Sequence, residues 1–285
     1  MASLVTTKTL ELSPEDQGEI LARVSRRSAF QAAGTYTETK HRGKVVRSVG
    51  SIESAWVDEG EDKPVLDNPV RNFKLVPKKQ AFIFVQTEEA AAESPEVVEA
   101  ITKSAPGVFA KTLDRTAAGV AGYSAEEIEA LGEAGGTVEL GGYSGVAEAF
   151  ATATAAGEDV QWVISSSLRA AIIRSATESQ ASNTLVQELL TQNTLFGAPV
   201  HVFSSTEAVG YVGDFANLTR WSIVGNELTV RTETSGNVTD SFGVTHNLTQ
   251  QNKEATFVEG WFSWAVAIPE AFVRLTAAAA PESGE

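Results

Sequence analysis

The chain has 285 residues with 42% hydrophobic content, enough to bury one large core or two modest ones. Its 37 Asp and Glu against 22 Lys and Arg give a formal charge of -15, a field that repels phosphate backbones and disfavours sequence-independent nucleic-acid binding. Cysteine is absent, which excludes disulfides, thiolate catalysis and Cys-type zinc sites.

The first dozen residues are polar, with neither a basic n-region nor an apolar h-region, and no stretch approaches ~18 consecutive apolar residues. A soluble product made in the cytoplasm, with no membrane partner, is expected. Ser13 as N-cap with Pro14 at the first helical position then predicts an amphipathic helix over 13–32, carrying the small basic cluster Arg23, Arg26, Arg27. Residues 44–57 have a β pattern through Val45, Val46, Val49, Ile52 and Trp56. The pattern breaks at "DEGEDKPVLDNP", where Gly60, Pro64 and Pro69 forbid regular continuation, and resumes over 73–86. Two β runs joined by about a dozen residues form a long hairpin, whose loop exceeds the usual ~2–5 residue connection and is of the length that carries function.

"ESPEVVEAITKSAPGVFAKTLDRTAAG" opens with Ser94, Pro95 and Glu96 as cap, first position and first-turn acid. Val97, Ile101, Val108, Phe109 and Leu113 make an apolar stripe. Pro106 inside it removes one helical hydrogen bond, so a kink or break is predicted near 103–107. Residues 117–143, rich in Gly and Ala, read as a connection with at most one short helix. Helices follow over 144–156, 165–176 and 184–193, with strands at 161–164 and 199–203. A hairpin is predicted from strands 221–224 and 228–232, turned by Gly225 and Asn226, and "ATFVEGWFSWAVAIPEAFVRL" is β-like up to a tail from Ala277. The fold class is α+β.

Little in this sequence points to chemistry. "GYSGV" at Gly142 imitates a nucleophile elbow but has Val146 where the second Gly belongs. Only His41, His201 and His246 could serve as base, and His201 sits in the strand "APVHVF", where a packed or edge histidine is the plainer reading. "DEGED" at Asp58 lacks the alternating ligands of a calcium loop and reads as a solvated acidic loop. No Gly-rich turn is followed by Lys-Ser/Thr, so phosphate loops are absent. No cofactor and no metal are expected. Trp is enriched at interfaces; of the five, Trp56 beside the acidic loop is the interface candidate, whereas Trp261 and Trp264 alternate along a β run as sheet-face residues.

In this order the motifs resemble the major capsid protein of tailed bacteriophages, the Hong Kong 97 fold. "AWVDEGEDKPVLDNPVRNFKLVPKKQAFIFVQTEE" is similar to that family's extended hairpin loop, and "ESPEVVEAITKSAPGVFAKTLDRTAAG" to its spine helix. "VQWVISSSLRAAI", "LFGAPVHVF", "VGYVGDFANL" and "WAVAIPEAFVRL" resemble successive pieces of its central and closing parts. The match covers about 55–275. It implies an N-terminal arm (1–43), extended hairpin (44–87), spine helix with peripheral domain (88–122), a mainly axial domain (123–250), peripheral closing strands (251–276) and a flexible tail (277–285).

The resemblance further implies a structural protein, not an enzyme. It would self-assemble through hexamers and pentamers into an icosahedral head enclosing double-stranded DNA without binding it specifically. Inter-subunit contacts would fall to Trp56, Asp58, Glu59, Glu61, Asp62, Lys63 and Arg71 on the hairpin and to Arg26 and Arg27 on the arm, with Pro106 the place where the spine helix bends. Only some fifty residues precede the hairpin, so a separate scaffolding protein is expected, alongside a portal; the presence of decoration proteins stays open. Lys63, Lys74 and Lys78 face no aligned asparagine partner among Asn247 and Asn252, and no crosslink is expected. An encapsulin-type nanocompartment shares the fold and stays open, as does an α+β hydrolase whose pocket would gather His201 or His246 with carboxylates.

Overall fold

The computed structural model of the chain describes residues 23–24, 27–49, 70–93, 96–123, 128, 131, 134–140, 143–175, 180–240 and 243–277. In chain order the elements are α1 (Ala29–Ala33), β1 (Thr35–Tyr36), β2 (Lys44–Val49), β3 (Val70–Leu75), β4 (Lys78–Thr87), α2 (Glu88–Glu93), α3 (Glu96–Ala117) and β5 (Gly136–Leu140). Next come α4 (Tyr143–Ala156), β6 (Gln161–Ser165), α5 (Ser166–Ser175), α6 (Gln180–Thr191), β7 (Thr194–Leu195), β8 (Ala198–Phe203), β9 (Val209–Gly213) and α7 (Phe215–Leu218). The chain closes with β10 (Thr219–Glu233), β11 (Asn237–Thr239), β12 (Thr245–Asn247), β13 (Lys253–Val266), a 3₁₀ turn at Pro269–Ala271 and β14 (Val273–Ala277).

Two larger sheets organise these elements. One has the order β1-β10-β13-β4, and the other β5-β14-β9-β6-β8-β7. In the first, β13 runs antiparallel to both β10 and β4. Its even-numbered residues Val258, Phe262, Trp264 and Val266 point into a core shared with Phe109, Leu113 and Ala117 of α3. In the second, β6 is buried on both faces, as its unbroken apolar run requires. Val163 joins the α3 core, while Trp162 and Ile164 enter a second core with Leu168 and Ile172 of α5 and Leu185 and Leu189 of α6. The indole N–H of Trp162, buried in that second core, is satisfied by the carbonyl of Leu195 at 3.1 Å.

Several sequence expectations are corrected by this arrangement. The predicted hairpin at Gly225–Asn226 is instead one long strand, β10, with a large bulge: Ile223 pairs with Phe262 and Leu228 with Gly260, leaving residues 224–227 opposite Trp261 alone. The bulge shifts the alternation by an odd number of residues. Ile223 before it and Leu228 and Val230 after it therefore all reach the same core, although their parities differ. Gly260 makes the room, because a Cβ there would come within 2.7 Å of the Leu228 side chain.

The predicted return strand over 73–86 divides at Val76–Pro77 into β3, paired with β2, and β4, paired with β13. Proline lacks the N–H a ladder needs, so the two halves can enter different sheets. The closing strands over 251–276 divide likewise: β13 lies in the first sheet and β14 in the second, beside β9 and parallel to β5. β5 itself lies in the stretch expected to be a connection.

The single helix expected over 13–32 is interrupted at Ser28, whose extended backbone caps the short α1; residues 1–22 lie outside the described residues. Helix α3 runs unbroken from Glu96 to Ala117 with the buried Pro106 inside it, so no break occurs at 103–107. Val108, placed on the apolar stripe, is 43% exposed, while Ala105, Phe109, Leu113 and Ala117 form the buried face.

Candidate assembly interface

The hairpin is present. β2 and β3 pair antiparallel from Lys44 opposite Leu75 to Val49 opposite Val70, and they form a two-stranded ribbon separate from both large sheets. Its root is fixed by the buried Leu75 and by Thr39, whose hydroxyl starts a chain through Ser222 (2.5 Å) to Ser263 (2.6 Å) across the first sheet. Along the ribbon Lys44, Val45, Arg47, Asn72 and Lys74 are exposed, Val45 at 60%. Trp56, Asp58, Glu59, Glu61, Asp62 and Lys63 lie outside the described residues, as does Arg26. Arg71 is placed by its backbone opposite Ser48 in the ribbon. The exposed Arg27 lays its guanidinium beside Gly107 of α3, 2.9 Å from where a Cβ would stand, next to Pro106. Arm and spine helix therefore touch at the position the sequence singled out for bending.

A stronger junction between the arm and the spine helix went unseen in the sequence. Asp114, buried near the C-terminal end of α3, accepts hydrogen bonds from the Ser28 hydroxyl (2.5 Å), the Ala29 N–H (3.1 Å) and the Phe30 N–H (3.3 Å). Ser28 in turn accepts from the Gln31 N–H. The first N–H groups of α1 are thus satisfied by a carboxylate 84–86 positions away in sequence. Burial raises the Asp114 carboxyl to about 6, against the lowering effect of those three donors. Phe30 then inserts between the sheets, meeting Phe203, Tyr211, Phe215 and Trp264 at centroid distances of 5.3–6.3 Å. Arg115, which follows Asp114, donates to the Ser204 carbonyl (3.0 Å) and to the Tyr123 hydroxyl, and its guanidinium lies 4.8 Å from the Tyr123 ring centroid. The available signal was an acid in phase with the apolar face, four residues after Ala110 and three before Ala117.

The histidines considered as bases are placed apart. His201, its charged form disfavoured by burial, pairs with the Gln161 side chain at 3.1 Å. His246 lies between Asp240 (3.1 Å) and Lys253 (3.0 Å) on the small β11–β12 hairpin, and His41 packs edge-on to Trp261. A cavity of about 270 Å³ between β4 and α3 is lined by Lys78, Gln80, Phe82, Val108 and Thr112 among others, with neither His201 nor His246 in its wall. Among the described residues no group of His and acid side chains could hold a metal ion, and no helix is long and apolar enough to cross a membrane.

Two sheets joined through a shared core by the capped arm and α3, with a two-stranded ribbon hydrogen-bonded to neither sheet among the described residues, make up the fold. The chain belongs to the phage capsid family, whose model matches residues 12–277. Solved structures agree in fold. A chain from Gordonia phage Cozz superposes with a TM-score of 0.65 at 18% identity, covering 89% of this chain and 87% of that one. A chain from Microbacterium phage Oxtober96 gives 0.66 at 16% identity, covering 98% and 95%. The capsid of an empty GTA particle computed with C5 symmetry gives 0.58 at 13% identity, covering 98% and 94%. No curated protein matches the chain. The architecture is thus the Hong Kong 97-like capsid fold, and the protein is a structural major capsid protein.

Proposed function

We propose that this chain builds an icosahedral phage head from hexameric and pentameric rings and encloses double-stranded DNA without binding it specifically. The observation that carries the proposal is the β2–β3 ribbon, which among the described residues pairs only with itself and holds Val45 and a row of cations in solvent. A monomer gains nothing from such an extension, whereas a shell subunit gains a reach onto its neighbour. In this reading the six-stranded sheet and its outer helices form the axial domain, and the four-stranded sheet with α3 forms the peripheral one. Trp56 and the acids from Asp58 to Asp62 pack and pair with another subunit, and Arg26 and Arg27 contribute from the arm. Pro64 and Pro69 limit the loop's unfolded freedom and so lower the cost of ordering it.

The net charge of -15 suits a shell that must hold packed DNA without adhering to it. A separate scaffolding protein and a portal complete the particle, which forms in the host cytoplasm. Deleting residues 58–68 tests the reading: the variant should keep the wild-type circular dichroism and melting temperature yet form no shells by electron microscopy. Wild-type yields of shells from the deletion variant would refute it. Nuclease-protected DNA inside particles supports the phage head, and enclosed protein in its place would support a nanocompartment.

A further inference from the structure

The charges of the hairpin are separated along its length. Over residues 38–49 and 70–75, the root and the ribbon, there are six cations (Lys40, Arg42, Lys44, Arg47, Arg71, Lys74) and one acid, Glu38, in a chain that is otherwise strongly acidic. Over residues 50–69, between the two strands, there are six acids (Glu53, Asp58, Glu59, Glu61, Asp62, Asp67) and one cation, Lys63. The cationic part is presented to solvent: Lys40, Arg42, Lys44, Arg47 and Lys74 are all exposed. It is also concave. A cavity of about 400 Å³ at the root is walled by residues 38–40 and 42–44, with Lys40, Arg42 and Lys44 around Glu38, Thr39 and Gly43. The Glu38 carbonyl accepts from the Lys44 ammonium at 3.3 Å, which holds one wall in place. Next to this cavity Val45, 60% exposed, offers an apolar contact.

We propose that the basic root of the ribbon, around Lys40, Arg42 and Lys44, is the receptor for the acidic segment 53–62 of a second copy of this chain. The proposal rests on the reading of the protein as a shell subunit and names the surface on which its loop lands. Charge complementarity and matched apolar groups, Val45 on the root and Trp56 within the acidic segment, select the occupant. The two surfaces are different parts of one chain, so the contact is heterologous. Such contacts propagate head to tail and close into rings when the rotation between copies permits. The pairing of Val49 with Val70 draws both ends of the intervening segment together at the far end of the ribbon. That end lies five residues, or roughly 17 Å at ~3.4 Å per residue, from Lys44. A neighbour's segment approaches the cavity from outside, whereas the chain's own would have to fold back along its ribbon.

Charge reversal tests the proposal and separates neighbour from self. One variant carries Glu59→Lys and Glu61→Lys; the other carries Lys40→Glu and Arg42→Glu. The first leaves the segment 53–62 with three acids against two lysines and the second makes Lys40 and Arg42 acidic, so each alone puts repulsive pairs into every contact, and the concentration needed for particles should rise at least about tenfold, with folding unchanged by circular dichroism. Mixed in equal amounts, the two variants supply each other with opposite charges, and assembly should return to within about threefold of wild type. Assembly of either variant at wild-type concentration would overturn the proposal, and so would failure of the mixture to recover, because a contact within one chain cannot be rescued by mixing. Retention of duplex DNA by wild type, lost in the Lys40/Arg42 variant with assembly intact, would overturn it in favour of nucleic acid on the root. If wild type itself forms no particles, the reading as a shell subunit fails first, and the two failures are told apart.

Discussion

Replacing Asp114 by Asn probes the junction on which the arm depends, and its effect should vary with pH in a calculable way. The carboxyl titrates near 6 in the folded protein because burial opposes its charge, against about 3.9 in an unfolded chain. The folded state therefore binds the proton more tightly. Stability from this group is fully present below about pH 4 and is lost as pH rises through 6, the reverse of a salt-bridged carboxylate. A gap of about two pKa units corresponds to about 3 kcal/mol in full, of which about 2 kcal/mol falls between about pH 4 and pH 8. Asn cannot titrate, and its amide nitrogen would confront one of the donors that Asp114 now accepts, at a pH-independent cost of about 1–3 kcal/mol. Urea unfolding of both proteins across that range checks this. The stability of wild type minus that of the Asn variant should fall by about 2 kcal/mol from acid to alkaline pH. His201, whose charged form is disfavoured by burial, contributes equally to both proteins and cancels. A difference that stays flat or grows with pH would refute the dominance of burial over the three donors at Asp114.

Phe30→Ala should cost about 3–5 kcal/mol, read by urea unfolding, because its ring is fully buried among four aromatic side chains, three from the two sheets and Phe215 from α7. A loss below about 1 kcal/mol would mean that the arm does not seat between the sheets. Gly197→Ala should cost about 1–2 kcal/mol in the same assay, since Gly197 holds φ at +76° in a turn whose preceding residue, Phe196, is already at +52°. That turn is fastened by Glu188, which accepts from the Phe196 N–H (3.2 Å) and the Gly197 N–H (2.7 Å); a neutral Gly197→Ala would contradict the turn geometry.

What the sequence disclosed was local. Apolar periodicity and capping signals were sufficient for α3, α4, α5, β6 and β8, whose ends fall within a few residues of those expected, because each element's burial follows from its own pattern. What it concealed was pairing over distance. Gly225–Asn226 has the composition of a tight turn, yet β13 offers a continuous partner for the residues on both sides, and the ladder outweighs the local turn preference. β5 is legible only as an edge added to β14, and Val76–Pro77 divides one β run between two sheets because their partners differ. Asp114 is the clearest case. Its role depends on a serine and two amide groups 84–86 positions earlier, so nothing in its own neighbourhood announces it. For the interface, the acidic loop and Trp56 stood out by composition. The basic root did not, because its cations are spread over two strands and the residues before them and become one surface only when Lys44 pairs opposite Leu75.

Sedimentation velocity of the purified chain across a concentration series, with negative-stain images of any heavy fraction, tests most directly whether this is a shell-forming subunit. Rings or megadalton shells that appear as concentration rises are the predicted result. A single species near the monomer mass of 30.2 kDa at every concentration, with or without a co-expressed scaffolding partner, would contradict it.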